Sequence, residues 1–560
     1  MDAPFVLLDD ARGGRARLFR APRDVLVARS AEEVAALLDR LRGETRHAAG
    51  FLSYEAMEEG ATSTGLPLAW FGLFDAWEPV DAAEWLPDPA GAWAGTPVPR
   101  IDRATYAARF AEVAEAIRAG EIYQANLSFP ADVPVAGHPA ALYAGLRARQ
   151  RMAHGALLFT GDDWLLSLSP ELFVAVEGDS VRARPMKGTA PPDAAPELLA
   201  GDEKQRAENL MIVDLMRNDL SRVAVPGSVH VPRLFAVERY PTVQQMVSDV
   251  AATLRSGVGP VDVIAAAFPC GSITGAPKRA AMARLRSVEQ VPRGIYTGAI
   301  GHVSAQACDL NVAIRTLHIA GDGDRAVIGL GSGVVADSDA DQEWAECLRK
   351  GSFVASDRAF DLIETMLFDA NDGLMRLDLH IERMRQSARL FGYPFDRHDV
   401  RNELQAATFR LRQDATVRLL CGKSGAISVE TRPPPDRPVG PVIVPVVPLP
   451  VAPHDIRLRH KTSDRAFYDT ARRAAGAFEV LFRRPDGLLT EGSFTNLFVE
   501  RGGTLLTPPL SRGLLPGVLR TALINEGRAV EADLTEGHLA EGFLIGNAVR
   551  GLLPARLASL

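Results

Sequence analysis

A segment in the first half of the chain, "GDEKQRAENLMIVDLMRNDLSRV" at residues 201–223, is the starting point for predicting the fold. Its apolar residues recur at the spacing of one helical face, so the pattern predicts an amphipathic helix over the whole segment. One acid, Glu208, falls inside the otherwise apolar part. The segment therefore predicts a helix that brings a carboxylate to a largely buried face.

Helices and strands alternate on either side of this segment. "DRATYAARFAEVAEAIRAG" predicts a helix that begins after Asp102 and ends at Gly120, and the strand pattern "EIYQANLSF" follows it directly. "SDADQEWAECLRKG" at 338–351 predicts another helix. The second half of the chain alternates shorter strands and helices in two small lobes, joined by the proline-rich stretch 432–453. The sequence thus predicts an α+β protein in which two unrelated folds are joined.

The boundary between the two folds is expected in "RKGSFVASDRAFDLIETM", where a charged helix end and a Gly-Ser stretch lead into a new apolar run. We therefore predict a first domain over 1–352, with its core at 100–350, and a second domain over 357–560.

Composition and charge exclude several classes of protein. The 560 residues include 62 Lys and Arg against 70 Asp and Glu, a net charge of -8, which argues against nucleic acid as a partner. The four cysteines form no C-x-x-C pair, which argues against a disulfide scaffold or a zinc site. The first residues show no signal-peptide pattern, and prolines interrupt the most apolar run. We expect a cytoplasmic protein with no membrane or nucleic-acid partner.

Three carboxylates on the predicted helices are candidate metal ligands. Glu343 and Glu346 share one helix face at i, i+3 spacing, and Glu208 lies on the other helix. Mg²⁺ prefers such oxygen ligands and is often held by one or two protein carboxylates together with substrate oxygens. Ion pairs with neighbouring arginines such as Arg217 or Arg349 would explain the same acids without a metal.

Glycine-rich turns add candidate anion contacts. "PCGSITGAPK", "YTGAIG" and "GLGSGVVADS" permit close backbone approach and offer N–H groups. Arg315 lies in the strand-like run "NVAIRTLHI", where a guanidinium suits bidentate binding of a carboxylate, although a structural ion pair explains it equally well.

These pieces occur in a fixed order: "GEIYQANLS", "SPELF", "RPMKGTA", "AENLMIVDLMRNDLSRVAVPGSV", "AFPCGSITGAPK", "YTGAIG", "IRT" and "GSGVVADSDADQEWAEC". Together they resemble the chorismate-utilising enzyme family, and within it the aminodeoxychorismate synthase branch. The resemblance is dense over about 100–350 and loose before it. It implies two stacked sheets with outer helices, chorismate as substrate and Mg²⁺ as cofactor.

The resemblance also implies roles for individual residues. Glu208 and Glu346 match the family's metal carboxylates, with Glu343 beside them, and Glu171 matches the general acid that helps the C4 hydroxyl to leave. Contacts to the ring and carboxylates of the substrate are implied for Arg315, Tyr296, Gly271, Ser272, Thr274, Gly298 and Gly333. Gln205 departs from the family, because some members have an acid there.

Lys187 in "RPMKGTA" bears on which reaction is catalysed. In the family, anthranilate synthases typically have alanine at this position, whereas aminodeoxychorismate synthases have a lysine that is proposed to attack C2 before ammonia adds at C4. Isochorismate and salicylate synthases also have a lysine, so a first half that makes those products stays open. The chain lacks the cysteine setting of a glutamine amidotransferase, so the resemblance implies a separate amidotransferase subunit as the source of ammonia.

The second half has its own motifs, "LHIERMRQSARLFGYP", "RLRHKTSDRAFYDTARR" and "LLTEGSFTNLFVERGG". They resemble the fold-type IV pyridoxal-phosphate (PLP) enzymes over about 360–553, which implies a two-lobed fold. Lys461 corresponds to the Schiff-base lysine and Glu491 to the carboxylate beside the pyridine nitrogen. The resemblance also implies phosphate contacts from Arg383, from the backbone at Val518 and Leu519 and from the Asn547 side chain, with Leu515 packed on the cofactor ring.

"KTSDR" is closer to the lyase-type "K-T-x-N-R" than to the aminotransferase forms, although Asp464 replaces asparagine. The resemblance therefore implies a lyase that releases pyruvate from aminodeoxychorismate to give 4-aminobenzoate, a folate precursor. A D-amino-acid or branched-chain aminotransferase, and a silent subunit that only binds an amidotransferase, are the alternatives. A homodimer through the second half stays open.

Overall fold

The computed structural model describes residues 3–191, 193–239, 244–321 and 323–558, without the side chain of Thr189. The chain forms two compact units. One comprises Met1–Pro89 and Thr96–Ala355, and the other comprises Ala90–Gly95 and Ser356–Leu560.

Two antiparallel sheets form the centre of the first unit. In order across the first sheet, the strands are Gly275–Ala276, Gln124–Ala136, Arg325–Val334, Thr316–Ala320, Asp163–Ser169, His154–Phe159, Phe5–Asp9, Ala16–Arg20 and Glu78–Val80, with Val98–Pro99 also paired to Gln124–Ala136. In order across the second sheet, they are Met186–Ala190, Gln244–Thr253, Ser180–Arg184, Leu172–Glu177, Ala307–Val312, Ala299–Val303, His47–Leu52, Ala69–Phe74 and Asp24–Ala28, with His230–Arg239 also paired to Gln244–Thr253.

The sheets stack because alternate residues of each strand face opposite sides. On the strand His47–Leu52, Ala49 and Phe51 pack with Phe19 and Leu158 of the first sheet. The alternate residues Ala48 and Leu52 lie in a second core with the outer helices. The helices of this unit are Ala31–Arg42, Ala82–Trp85, Arg103–Arg118, Pro139–Gln150, Pro196–Gly201, Glu203–Ser221, Pro260–Ala267, Lys278–Glu289 and Ala340–Gly351. The predicted arrangement of two stacked sheets with outer helices is confirmed.

The predicted helices form with small changes at their ends. Segment 201–223 becomes the helix Glu203–Ser221, because the Asp202 side chain accepts a hydrogen bond from Gln205 N–H and caps it there. Asp102 caps the helix Arg103–Arg118 in the same way, and Gly120 follows with φ of +73°.

The second unit contains two sheets, one in each lobe. The smaller has the order Gly373–Leu374, Leu362–Asp369, Ala415–Cys421 and Ile427–Arg432. The larger has the order Val442–Val444, Gly551–Leu557, Phe543–Asn547, Asn496–Arg501, Leu489–Gly492, Leu481–Arg483 and Val446–Pro448, with Thr504–Thr507 and Ala529–Glu531 beside it. The helices are Leu377–Phe391, Arg397–Thr408, Ile456–Arg459, Ala466–Ala474 and Val518–Asn525. The predicted α+β class with a two-lobed second half is confirmed.

Residues 90–95 belong to the second unit although they lie inside the first half of the chain. Trp93 meets Phe391 edge to face, with ring centroids 5.2 Å apart. Across the described ranges, no helix has the length and apolar character that a membrane span requires.

Candidate active sites

Lys187 lies on the edge strand Met186–Ala190 of the second sheet, and its carbonyl accepts a hydrogen bond from the Asn209 amide on the helix Glu203–Ser221. Its amine approaches the other sheet at Gly333, where an added Cβ would lie 3.3 Å from Nζ. A glycine at 333 therefore gives the amine its space. Burial lowers the pKa of Lys187, and the nearby Lys350 charge lowers it further, against the opposing effect of surrounding glutamates. The uncharged form of the amine is therefore more populated at Lys187 than at a lysine on the protein surface.

Glu171 is buried beside this lysine and follows the strand Asp163–Ser169. The Ser272 hydroxyl donates a hydrogen bond of 2.6 Å to its Oε1. Burial raises the pKa of Glu171 to about 7, while Ser272 and the charge of Lys187 act in the opposite direction. A carboxyl with such a pKa can hold a proton near neutral pH and release it to a leaving group.

The turn that carries Ser272 is braced from both sides. Thr274 Oγ1 donates to the Cys270 carbonyl at 2.8 Å, and Thr274 O accepts from Asn126 N at 2.9 Å. Lys278 donates to Asp219 at 2.6 Å just after the turn. Gly271, Ser272 and Thr274 are therefore held in a fixed backbone arrangement, as an anion-binding turn requires.

Tyr296 lies flat against the glycine-rich strand Arg325–Val334. A Cβ at Gly329 would lie 2.1 Å from the Tyr296 ring, so a side chain there would displace the ring. Gly298 is equally constrained, because its Cβ would lie 2.2 Å from the Leu52 carbonyl oxygen. Tyr296 also forms part of the wall of a cavity of about 890 Å³ that Tyr54 and Arg293 line as well.

Arg315 differs from its predicted setting. It lies between the strands Ala307–Val312 and Thr316–Ala320, with φ of +51°, and not within a strand. Its Nη1 donates to Gln150 Oε1 at 3.3 Å. The backbone turns at this residue because the chain leaves the second sheet and enters the first.

The three candidate metal ligands are divided between two helices. Glu208 is half-buried; burial raises its pKa, and Glu343 adds to that effect. Glu346 pairs with Lys350 at 2.7 Å; although burial would raise its pKa, Lys350 keeps it below the usual value. Glu343 accepts a hydrogen bond from Ser338 at 2.7 Å. Glu346 does form an ion pair, with Lys350, and the charge of Arg349 also acts on it, whereas Arg217 pairs with Asp214.

Within the described ranges, no three His, Cys, Asp or Glu side chains form a ready metal cage. A set of separated carboxylates fits Mg²⁺, which commonly has one or two protein carboxylates and completes its shell with substrate and water oxygens. The charges of Glu208 and Glu346 both act on Lys187, and the charge of Glu343 acts on Glu208, so the three acids share one site whose oxygen donors fit this ion.

Sequence reasoning missed two residues of this site. Lys350 also donates to the Gly331 carbonyl at 3.1 Å, and its i, i+4 spacing from Glu346 was the available signal. Gln124 is buried with Oε1 unpaired, and a Cβ at Gly333 would lie 2.9 Å from its Nε2. Its position as a polar residue in a buried strand was the signal.

In the second unit, Lys461 donates to Thr365 Oγ1 at 3.2 Å. Burial lowers the pKa of Lys461 to about 7, partly offset by Glu364, while nearby arginines including Arg383 add to the lowering. An amine with this pKa is available as a nucleophile near neutral pH.

Glu491 is buried and accepts a 2.6 Å hydrogen bond from the Tyr468 hydroxyl. Burial raises its pKa to about 7, against hydrogen bonds from Tyr468 and from the backbone of Leu515. A cation placed next to this carboxyl would favour its ionised form.

The predicted phosphate contacts surround the start of the helix Val518–Asn525, where Val518 and Leu519 are the first two residues. Gly517 precedes them, and a Cβ there would lie 1.7 Å from Asn496 Oδ1, so only glycine fits. Arg383 donates to the Pro516 carbonyl at 2.9 Å. It also makes a bidentate pair with Glu364, at 2.7 and 2.6 Å.

The Asn547 side chain binds backbone groups of two loops. Its Nδ2 donates to the Phe494 carbonyl, and its Oδ1 accepts from Val549 N and Arg550 N. The glycine-flanked helix start, the cationic Arg383, the low-pKa amine of Lys461 and the buried Glu491 together fit PLP.

Comparison with known proteins supports the predicted family of each half of the chain. The profile of the chorismate binding enzyme family matches residues 3–356, and that of amino-transferase class IV matches residues 361–558. Anthranilate synthase component 1 1 of Halobacterium salinarum is 41% identical over 46% of this chain and 51% of its own length. Aminodeoxychorismate synthase component 1 of Salmonella typhimurium is 40% identical over 45% of this chain and 56% of its own length.

The chain thus spans about half the length of the curated relatives it matches. The crystal structure of anthranilate synthase component I from Streptococcus pneumoniae superimposes with a TM-score of 0.54 at 25% identity, covering 63% of this chain and 93% of that one. A class IV amino-transferase domain follows the chorismate-binding part along the chain. Since the profile of the chorismate binding enzyme family covers more than half of the sequence, the chain belongs to that family.

Proposed function

We propose that this chain makes 4-aminobenzoate in two steps. The first unit aminates chorismate at C4 to give 4-amino-4-deoxychorismate, and the second releases pyruvate from that product. The observation that carries the proposal is the amine of Lys187, whose pKa is lowered by burial and which lies in the same site as the neutral-range acid Glu171. Relatives of both the aminodeoxychorismate and the anthranilate type match this chain, so the branch is assigned on Lys187.

In the first step, the Lys187 amine attacks C2 of the ring and the double bond shifts as the C4 hydroxyl departs. Glu171 gives its proton to that hydroxyl, which leaves as water. Ammonia then adds at C4, the double bond shifts back, and the lysine leaves. Glu208 and Glu346, with Glu343 beside them, would hold Mg²⁺, which draws electron density from the ring carboxylate.

Ammonia for this step comes from a separate glutamine amidotransferase subunit. That reaction needs a cysteine thiolate, and all four cysteines of this chain are buried. Burial raises the pKa of Cys270 and Cys308 to about 12 and that of Cys347 to about 11. Burial also raises the pKa of the Cys421 thiol, so all four thiols are protonated at neutral pH and none is suited to glutamine hydrolysis.

In the second step, Lys461 would hold the cofactor, and its amine would move the proton while the enolpyruvyl ether is eliminated as pyruvate. Glu491 would pair with the pyridine nitrogen and favour its protonated form. Arg383 and the helix start at Val518 and Leu519 would hold the phosphate. When bound, PLP supplies an electron sink for the bonds that break.

The Lys461→Ala variant separates the two steps. With chorismate, Mg²⁺ and ammonium, it should accumulate 4-amino-4-deoxychorismate, whereas the wild type continues to 4-aminobenzoate. Lys423→Ala, an exposed lysine in the same unit, is the matched control and should behave as wild type. Continued 4-aminobenzoate formation at the wild-type rate by Lys461→Ala would exclude the lyase role, and salicylate or isochorismate would assign the first unit to water-using chemistry.

A further inference from the structure

Glu479 is a fully buried carboxylate that the proposed reaction does not use. Its Oε1 accepts hydrogen bonds from Val480 N at 2.8 Å, Ser493 N at 2.8 Å and Ser493 Oγ at 2.6 Å. Its Oε2 accepts from Phe494 N at 3.1 Å and Thr495 Oγ1 at 2.8 Å. One side chain therefore gathers five donors, four of them from a single loop.

Among the described residues, no cation lies within ion-pair distance of the Glu479 carboxylate, although it interacts at longer range with the charge of Arg550. Burial raises the pKa of Glu479, and the hydrogen bonds from Ser493, Val480, Thr495 and Phe494 act against that shift. A buried carboxylate that no cation contacts directly depends on hydrogen bonds to its oxygens for its stability. The donors are consequently held in one arrangement around the two oxygens.

The loop that these donors come from follows Glu491 directly. Gly492 N donates to the Thr495 carbonyl at 2.7 Å and closes the loop. A Cβ at Gly492 would lie 2.6 Å from Thr495 Oγ1 and 2.7 Å from Glu479 Oε2, so the carboxylate fills the space that a side chain would need. Beyond the loop, Asn496 is the register partner of Glu491 and its Nδ2 lies 3.4 Å from Glu491 Oε2.

The same loop reaches a second part of the proposed cofactor site. Phe494 donates its N–H to Glu479, and its carbonyl accepts a hydrogen bond of 3.1 Å from the Asn547 side-chain amide. Asn547 in turn fixes the backbone at Val549 and Arg550. The Glu479 loop thus lies next to both Glu491 and Asn547.

We propose that Glu479 is a positioning residue of the PLP site, which fixes loop 492–495 so that Glu491 and Asn547 stand where the cofactor needs them. Glu479 acts through the loop and does not touch the cofactor. The inference rests on the proposed function of the second unit, because it requires that Glu491 and Asn547 face PLP.

The test measures the affinity of the full-length chain for PLP. PLP is titrated into the apoprotein, and binding is monitored through the visible absorbance of the bound cofactor. Glu479→Gln keeps the shape of the side chain but places an amide donor among N–H and O–H donors. Its affinity for PLP should fall at least tenfold. Asp455→Asn is the matched control, because Asp455 is an equally buried carboxylate, bound to Arg457. It should lower the thermal stability of the chain and leave PLP affinity within about twofold of wild type.

Thr495→Val is a second variant, for the case in which Glu479→Gln does not fold. It removes one hydrogen-bond donor to Glu479 and nearly preserves the side-chain volume. It should weaken PLP binding about threefold. Wild-type affinity in folded Glu479→Gln or Thr495→Val would overturn the inference, and so would an equal loss of affinity in Asp455→Asn. A wild-type chain that binds no PLP would instead overturn the proposed function of the second unit.

Discussion

The proton of Glu171 gives the most detailed prediction. Burial moves the pKa of this carboxyl from its ordinary 4.5 to about 7, which corresponds to about 3 kcal/mol. Because the acid form is the active one, kcat/KM for chorismate should fall as pH rises through about 7, by about tenfold per pH unit at higher pH. The raised pKa also means that this group stabilises the fold below pH 4.5 and that its contribution is lost as pH rises toward 7.

Ser272→Ala tests the origin of this value. The hydroxyl donates to Glu171 at 2.6 Å and stabilises its ionised form, and a hydrogen bond to a charged group contributes roughly 1.5 kcal/mol. Removing it should raise the pKa of Glu171 by about one pH unit, so the alkaline limb of the profile should move from about pH 7 to about pH 8.

The assay measures product formation from chorismate with ammonium and Mg²⁺ between about pH 5.5 and 9. The ratio of variant to wild-type kcat/KM cancels the titration of ammonia itself, which is common to both. Glu171→Gln should lose about 10² to 10⁴ in rate and show no alkaline limb. Ser304→Ala is the control, because the Ser304 hydroxyl donates to the Ala307 carbonyl within its own turn. A limb that stays in Glu171→Gln, or does not move in Ser272→Ala, would refute the assignment of Glu171 as the acid.

Four further predictions concern other residues of the two sites. Lys187→Ala should lose amination at C4 by at least about 10²-fold while its thermal unfolding stays as in wild type, and Lys204→Ala, an exposed lysine paired with Asp337, should keep full activity. Gly333→Ala should lower kcat at least about tenfold, since its Cβ would press on Lys187 Nζ and Gln124 Nε2; an active Gly333→Ala would mean that the amine has more room than the structure indicates. Glu208→Gln should raise the Mg²⁺ concentration needed for half-maximal activity about tenfold, measured by titrating the EDTA-treated protein, and an unchanged requirement would remove Glu208 from the metal site. Reconstitution of the apoprotein with PLP should accelerate as pH rises and level off above about 7, because the amine of Lys461 must be uncharged; stopped-flow absorbance that shows no such dependence would contradict its low pKa.

Local signals in the sequence predicted the helices well. Asp102 and Asp202 cap their helices because a short acidic side chain can accept the free N–H groups of the first turn, and this depends on neighbours only a few residues away. The apolar period of the segment around Glu208 likewise predicted which side of the helix packs inward. Together with the ordered motifs, these signals gave the fold class and the two-part organisation.

Contacts between distant segments were beyond such reasoning. Residues 90–95 pack in the second unit through an aromatic contact with Phe391, a pairing that no local pattern encodes. Arg315 has a positive φ because the chain changes sheets there, and this depends on the three-dimensional path of both strands. No local pattern marks Glu479, because only the folded chain brings its five donors together.

Spacing marked the partners of Glu346 without choosing between them. Arg349 at i+3 and Lys350 at i+4 both share a helix face with Glu346, and the structure shows the ion pair with Lys350. Asn547 was predicted from the family as a phosphate contact, and the structure adds that its amide binds the Phe494 carbonyl.

The central claim is that one chain converts chorismate to 4-aminobenzoate, and the identity of the product tests it most directly. The purified full-length chain, loaded with PLP, is incubated with chorismate, Mg²⁺ and ammonium, and the aromatic product is identified by chromatography and mass spectrometry against authentic standards. The account predicts 4-aminobenzoate together with an equimolar amount of pyruvate. Anthranilate as the aromatic product would contradict it.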